Sequence, residues 1–220
     1  MNAAGAMPAT PRLRRLAQRT PRAPDPAQEQ CELCGDPIPS EHRHVLDLTE
    51  RNLLCVCRAC SILFDRAAAG GGHYRLVPQR RLRLDGLLMP DELWERLRIP
   101  VGIAFFFHNS DAKRVMAYYP SPMGPTESLL ELEAWTELEA ANAVLGTLEP
   151  DVEALLVNRA RGARRQWLVP IEDCYQLVAV IRTRWKGFSG GREVWDELTR
   201  FYDDLDARAK PAPQGAAKGG

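Results

Sequence analysis

The chain has 220 residues, of which 45% are hydrophobic and 26% are charged, the balance of an ordinary globular protein with a buried core. Its formal net charge of +0 at pH 7 gives no global attraction to nucleic acid or to an anionic membrane. No apolar run reaches the roughly 20 residues of a membrane-spanning helix, and no apolar stretch follows Arg14-Arg15 as in an export signal. We therefore expect a cytoplasmic protein without membrane insertion or a nucleic-acid partner.

The two ends of the chain have the composition of disordered segments. Residues 1–30 contain five prolines, five arginines and two acidic residues, which predicts a disordered basic arm. Residues 209–220 (AKPAPQGAAKGG) predict a disordered tail. Between them we expect a small metal-binding module at 31–78 and a larger domain at 79–208.

The small unit reads as a strand hairpin followed by a helix. Apolar runs at 45–48 and 52–56 predict two short strands, joined by a polar turn. Helical character begins at Ser61 and continues to residue 69, where three glycines in a row end it. Residues 74–78 predict a further strand.

The larger unit mixes helices and strands without the regular alternation of a doubly wound sheet. We predict helices at 90–97, 128–145, 171–185 and 193–208, and strands at 101–108, 114–119, 152–158 and 166–169, with 79–85 an exposed strand or connector. The core face of the second helix should carry Leu129, Leu132, Trp135, Leu138 and Ala141. Residues 120–125 predict a rigid loop. The fold class is therefore α+β.

Two cysteine pairs are the strongest chemical signal in the sequence. Cys31 and Cys34 stand two residues apart and are followed by Gly35, which permits the tight turn of a metal-binding knuckle. Cys57 and Cys60 repeat the spacing after 22 intervening residues. Two such pairs predict a tetrahedral site with four thiolate ligands.

The order of elements around these pairs favours a treble clef, in which a knuckle and a hairpin precede a helix that carries the last two ligands. A two-knuckle ribbon fits less well, because Ser61 rather than glycine follows Cys60. A closed structural site of this kind usually holds zinc, our expected cofactor. Four thiolates also suit the single iron of a rubredoxin-like site, which stays open as the alternative.

Two further residues are candidate additional ligands. Cys55 is an extra thiol that can serve as a substitute ligand, a redox partner or a packed strand residue. His44 stands before the second pair, immediately ahead of the first predicted strand. Cys174 falls on an amphipathic helix and is expected in the core.

The small unit also resembles HNH-type nucleases. The resemblance rests on the two cysteine pairs together with His44, Asn52 and Leu53, and it implies His44 as a general base beside a divalent ion. Ser61 stands where those enzymes place a metal-binding histidine. The resemblance therefore implies at most a degenerate, nucleic-acid-binding relative, and we predict no catalytic residue.

A basic cluster comprises Arg159, Arg161, Arg164 and Arg165. Such a run is typical of a solvated loop, and the alternative is a binding surface for an acidic partner or RNA.

Read from residue 31 to residue 205, the chain resembles an uncharacterised actinobacterial family. The matching segments include CELCG, LLCVCRAC, PVGIAFFF, YYPSP and LEPDVEALLVNR. Members are commonly encoded beside nickel–iron hydrogenase genes and their maturation factors. The resemblance implies an accessory protein that contacts a hydrogenase subunit or maturation factor, and it transfers no catalytic residue. A rubredoxin-like electron carrier remains the alternative.

Overall fold

The computed structural model describes residues 28–64, 72–187 and 190–213. Within these ranges the chain folds into two β-sheets and five α-helices, which confirms the α+β class. The predicted disorder of 1–27 and 214–220, and the predicted helical end at 65–69, lie outside the described residues. No helix in the described ranges is both long and apolar enough to cross a lipid bilayer.

The small sheet has three antiparallel strands in the order β2-β1-β3. Its elements are β1 (Arg43–Asp47), β2 (Asn52–Val56), the helix α1 (Arg58–Leu63) and β3 (Tyr74–Leu76). β1 and β2 form the predicted hairpin, and α1 begins three residues before the predicted start because Cys57 caps it.

The large sheet has seven strands in the order β10-β4-β9-β8-β5-β6-β7, antiparallel except for the β10–β4 pair. The strands are β4 (Leu82–Arg83), β5 (Ile103–Asn109), β6 (Arg114–Ser121), β7 (Gly124–Ser128), β8 (Glu153–Asn158), β9 (Arg165–Pro170) and β10 (Lys210–Pro211). The helices are α2 (Asp91–Arg96), α3 (Leu132–Ala141), α4 (Ile171–Arg184) and α5 (Gly191–Arg208), with 3₁₀ turns at Ala143–Thr147 and Ala160–Gly162.

Helices cover both faces of the large sheet, which explains its most apolar strand. Phe105 and Phe107 point to the face packed against α4 and α5, and Phe106 points to the opposite face, against α2 and α3. Side chains alternate between the faces of a strand. The continuous apolar run of β5 is therefore buried on both sides.

The structure differs from prediction around residue 125. Residues 120–125 form the turn and flanks of a hairpin in which Pro120 lies opposite Pro125, at the end of an edge strand that tolerates a missing N–H. The strand β7 occupies the predicted start of the second helix, so α3 begins at Leu132. Leu129 and Leu132 are consequently 88% and 50% exposed, and Ala141 is exposed as well. Of the predicted core face, only Trp135 and Leu138 are buried.

Part of the predicted tail joins the large sheet. Lys210 and Pro211 pair with Leu82 and Arg83 as a parallel edge strand, which extends the ordered chain beyond α5.

The small sheet packs directly on the large one. Leu46 and Val77 share an apolar cluster with Val152, which immediately precedes β8. Next to this contact the fully buried carboxylate of Asp151 accepts hydrogen bonds from Arg51 and Arg75. Apolar packing and buried ion pairs therefore join the two sheets.

Candidate metal centre

The four predicted ligand cysteines converge at one end of the small sheet. The sulfur atoms of Cys31, Cys34, Cys57 and Cys60 all lie within 4.8 Å of one another. Cys34 and Cys57 come from different pairs, and their sulfurs are 3.7 Å apart. Two sulfurs bonded to one tetrahedral zinc at about 2.3 Å would lie about 3.8 Å apart. The cluster therefore has the dimensions of a metal site.

Backbone hydrogen bonds shape the first pair. The N–H of Gly35 donates to the carbonyl of Cys31 over 2.8 Å, and Gly35 adopts a positive φ of 76°, which glycine takes without strain. The N–H of Glu32 donates to the carbonyl of Cys55 over 2.9 Å. The knuckle is therefore closed locally and fastened to β2.

The second pair is positioned by the start of α1. Cys57 is the N-cap residue, and its sulfur accepts a hydrogen bond from the N–H of Cys60 at 3.4 Å. A helix start presents N–H groups without partners, which stabilise a negative sulfur. The cap therefore orients one ligand and places the other one turn later.

The thiols differ in their acidity. Burial raises the pKa of Cys31, but N–H groups of Cys57 and Leu33 outweigh it, and the pKa falls to about 6. Burial and the adjacent sulfurs raise the pKa of Cys60 to about 12. Four thiolates together therefore require a cation, and binding that cation would release protons from the remaining thiols.

The site is closed on one side and exposed on the other. Cys31 and Cys60 belong to the core of the small sheet, together with Val45 and Val56. Cys34 is exposed. Four thiolates in this arrangement fit a metal ion, and both zinc and iron have the required chemistry.

The two candidate additional ligands lie together in a second group. His44, Cys55 and His42 each place a potential ligand atom within 4.8 Å of the other two. Cys55 lies directly opposite His44 in the β1–β2 pairing. His42 lies two residues before His44 and immediately ahead of β1, and residues two apart on an extended chain share a face.

Ser61 and His44, two positions of the nuclease resemblance, both contact other residues of the fold. The hydroxyl of Ser61 is buried and donates to the carbonyl of Arg58 over 2.9 Å, within its own helix. His44 contacts Glu172 of α4, with 2.6 Å between its Nδ1 and the carboxylate Oε2. His44 therefore faces an acidic side chain of the large-sheet layer.

Three arginines of the basic cluster are held in ion pairs, and the fourth, Arg161, lies over the ring of Trp195. Arg159 and Arg164 both contact the carboxylate of Asp91, and Arg165 contacts Asp206. The hydrogen bonds from Arg164 and Arg159 lower the pKa of Asp91 to about 2. Much of the local positive charge is thus balanced within the fold.

Comparison with known proteins identifies a family. No curated protein and no solved structure matches the chain. The model of a family of unknown function, DUF5947, matches residues 30–209. The match includes the four clustered cysteines, the small sheet and every strand of the large sheet except β10. The chain therefore belongs to this family of unknown function.

Proposed function

We propose that this protein is a non-enzymatic, metal-binding accessory protein that acts through protein–protein contacts. The convergence of four cysteine sulfurs within 4.8 Å of one another carries the proposal. A four-thiolate site leaves no coordination position for a substrate, so its ordinary role is structural. We assign no residue to catalysis.

Zinc is the metal we assign to the site. The small sheet has three short strands and a core of few side chains, too little apolar burial to stabilise such a unit well. Two of the cysteines belong to that core, so a bound ion would join the knuckle to α1. The free energy of zinc binding then becomes folding free energy for this part of the chain.

Exposed apolar side chains beside the cysteines support a protein partner. Leu33 is 37% exposed, and Ile62 and Leu63 on α1 are 66% and 63% exposed. Each stands within three residues of a ligand cysteine. Exposed apolar side chains beside a rigid site are typical of a contact surface.

The proposed class of partner rests on the resemblance of the chain to an uncharacterised actinobacterial family. Because such relatives are commonly encoded beside nickel–iron hydrogenase genes, we propose a hydrogenase subunit or a maturation factor as the partner. The contact requires neither nucleic acid nor a membrane, in line with the balanced charge of the chain.

The test is affinity purification of the tagged full chain from its native host, followed by mass spectrometry. We expect hydrogenase components with the wild-type chain and their loss with Ile62→Glu combined with Leu63→Glu. Met123→Glu is the matched control, because Met123 is 91% exposed and lies in the β6–β7 hairpin of the large sheet. Recovery of the chain without any hydrogenase component would contradict the proposed partner.

A rubredoxin-like iron carrier is the second candidate, favoured by the exposed position of Cys34. Electron transfer requires a metal close to the surface, and an exposed ligand sulfur supplies a route for electrons between the metal and a redox partner. An iron-loaded, coloured protein with a reversible one-electron potential would support this candidate, and a colourless zinc protein would exclude it.

A further inference from the structure

A second group of potential ligand atoms lies beside the four-thiolate cluster and shares no residue with it. We propose that His42, His44 and Cys55 form a second metal site, which takes one divalent cation of the zinc type. The three ligand atoms lie within 4.8 Å of one another. This site is independent of the function proposed above.

Strand pairing brings His44 and Cys55 together. They are opposite each other in the β1–β2 register. The N–H of Cys55 donates to the carboxylate of Glu32, and its carbonyl accepts from the N–H of Glu32. Since both backbone groups of Cys55 point away from β1, this is the non-hydrogen-bonded kind of pair, in which facing side chains approach most closely.

His42 supplies the observation that points to a ligand. Its side chain is only 8% exposed, and its ring lies 4.8 Å from the ring of His44. Nδ1 of His42 lies 3.0 Å from the carbonyl oxygen of Pro39. Its buried Nε2 has no hydrogen-bond partner in the part of the chain that the structure describes. A buried nitrogen without a partner is costly unless something binds it.

Both imidazoles are oriented as metal ligands usually are. Nδ1 of His44 lies 2.6 Å from the carboxylate of Glu172, which Arg81 also holds at 2.9 Å. Metal-binding histidines commonly donate one ring N–H to a carboxylate or a carbonyl, which leaves the other nitrogen for the metal. Here Glu172 and Pro39 take that role, and each Nε2 is left as the ligand.

The donor set determines the class of cation. Two imidazole nitrogens and one thiolate suit zinc or a similar borderline ion, and they disfavour magnesium and calcium. Ligand atoms around a tetrahedral zinc lie about 3.3–3.8 Å apart. Rotation of the side chains that moves the ligand atoms by about 1 Å would bring the three to these distances. Three protein ligands leave a fourth position for water or a small ligand. Glu29, whose carboxylate is 3.6 Å from Nδ1 of His42, adds negative charge nearby.

The test counts metal ions bound to the full chain. Protein prepared without metal is loaded with excess Co²⁺, dialysed and analysed by elemental analysis and visible spectroscopy. We expect two cobalt ions in the wild type and one in His42→Ala, with the four-thiolate charge-transfer bands retained. His108→Ala is the matched control, because His108 also contacts a carboxylate, that of Glu139. It should keep both ions.

X-ray absorption of the wild-type protein tests for the second site even if a variant fails to fold, because it reports which elements surround the bound cobalt. With both sites filled, we expect nitrogen neighbours alongside sulfur around the cobalt. A single bound ion with an all-sulfur shell would overturn the proposal, as would a folded His42→Ala variant that still binds two ions.

Discussion

Nη1 of Arg51, in the turn between β1 and β2, donates to Oδ1 of Asp151 over 2.9 Å. Asp151 belongs to the layer of the large sheet, and its carboxylate is completely buried. Arg75 donates to the other carboxylate oxygen over 3.1 Å. One buried carboxylate thus connects two segments of the small sheet to the rest of the protein.

We expect Asp151→Asn to lower the free energy of unfolding by about 2–3 kcal/mol at pH 7, the contribution of hydrogen bonds to a charged group. Asparagine tolerates the positive φ of 68° at this position, so the loss reports the charge rather than the backbone. Urea unfolding measures it. Asp111→Asn, in an exposed hairpin turn, is the control and should change stability by less than about 0.5 kcal/mol.

The same carboxylate predicts a dependence on pH. Burial raises the pKa of Asp151, but hydrogen bonds from Ser110 and Arg51 outweigh it and hold the pKa below the ordinary value of 3.8. A lowered folded-state pKa stabilises the protein above 3.8, and that stabilisation is lost as the pH falls through the folded-state value. The stability difference between wild type and Asp151→Asn should therefore shrink below about pH 4. A difference that stays constant from pH 7 to pH 3 would show that the charge is not responsible.

Removal of a ligand should distinguish the cluster from the remaining cysteine. We expect Cys60→Ala to lose the four-thiolate metal, whereas Cys174→Ala, in the core of the large sheet, keeps it. Loss of the ion should accelerate amide hydrogen exchange in β1 and β2 and leave β8 unchanged, because the metal joins only elements of the small sheet. Equal exchange in β2 with and without metal would contradict a structural role.

Much of this architecture follows from local sequence patterns. The apolar run of β5, the amphipathic helices α4 and α5 and the cysteine spacing all carry their signal within a few residues. The strand β7 was missed because its residues, from Gly124 to Ser128, have little strand character of their own. They form a strand through pairing with β6.

Contacts between distant residues could not be read from the sequence. Asp151 and Arg51 are 100 positions apart, and nothing local to either indicates the other. The same holds for Glu172 and His44. The grouping of His42 with Cys55 required the register of β1 against β2, which only the folded hairpin defines.

The measurement that tests the central claim most directly is the metal content of the protein purified from its native host, with its visible spectrum. We expect zinc in a colourless protein, and the loss of one zinc ion per chain in Cys34→Ser. Iron with a thiolate charge-transfer spectrum would contradict the assignment of zinc and favour electron transfer. A folded protein without any bound metal would contradict the metal site itself.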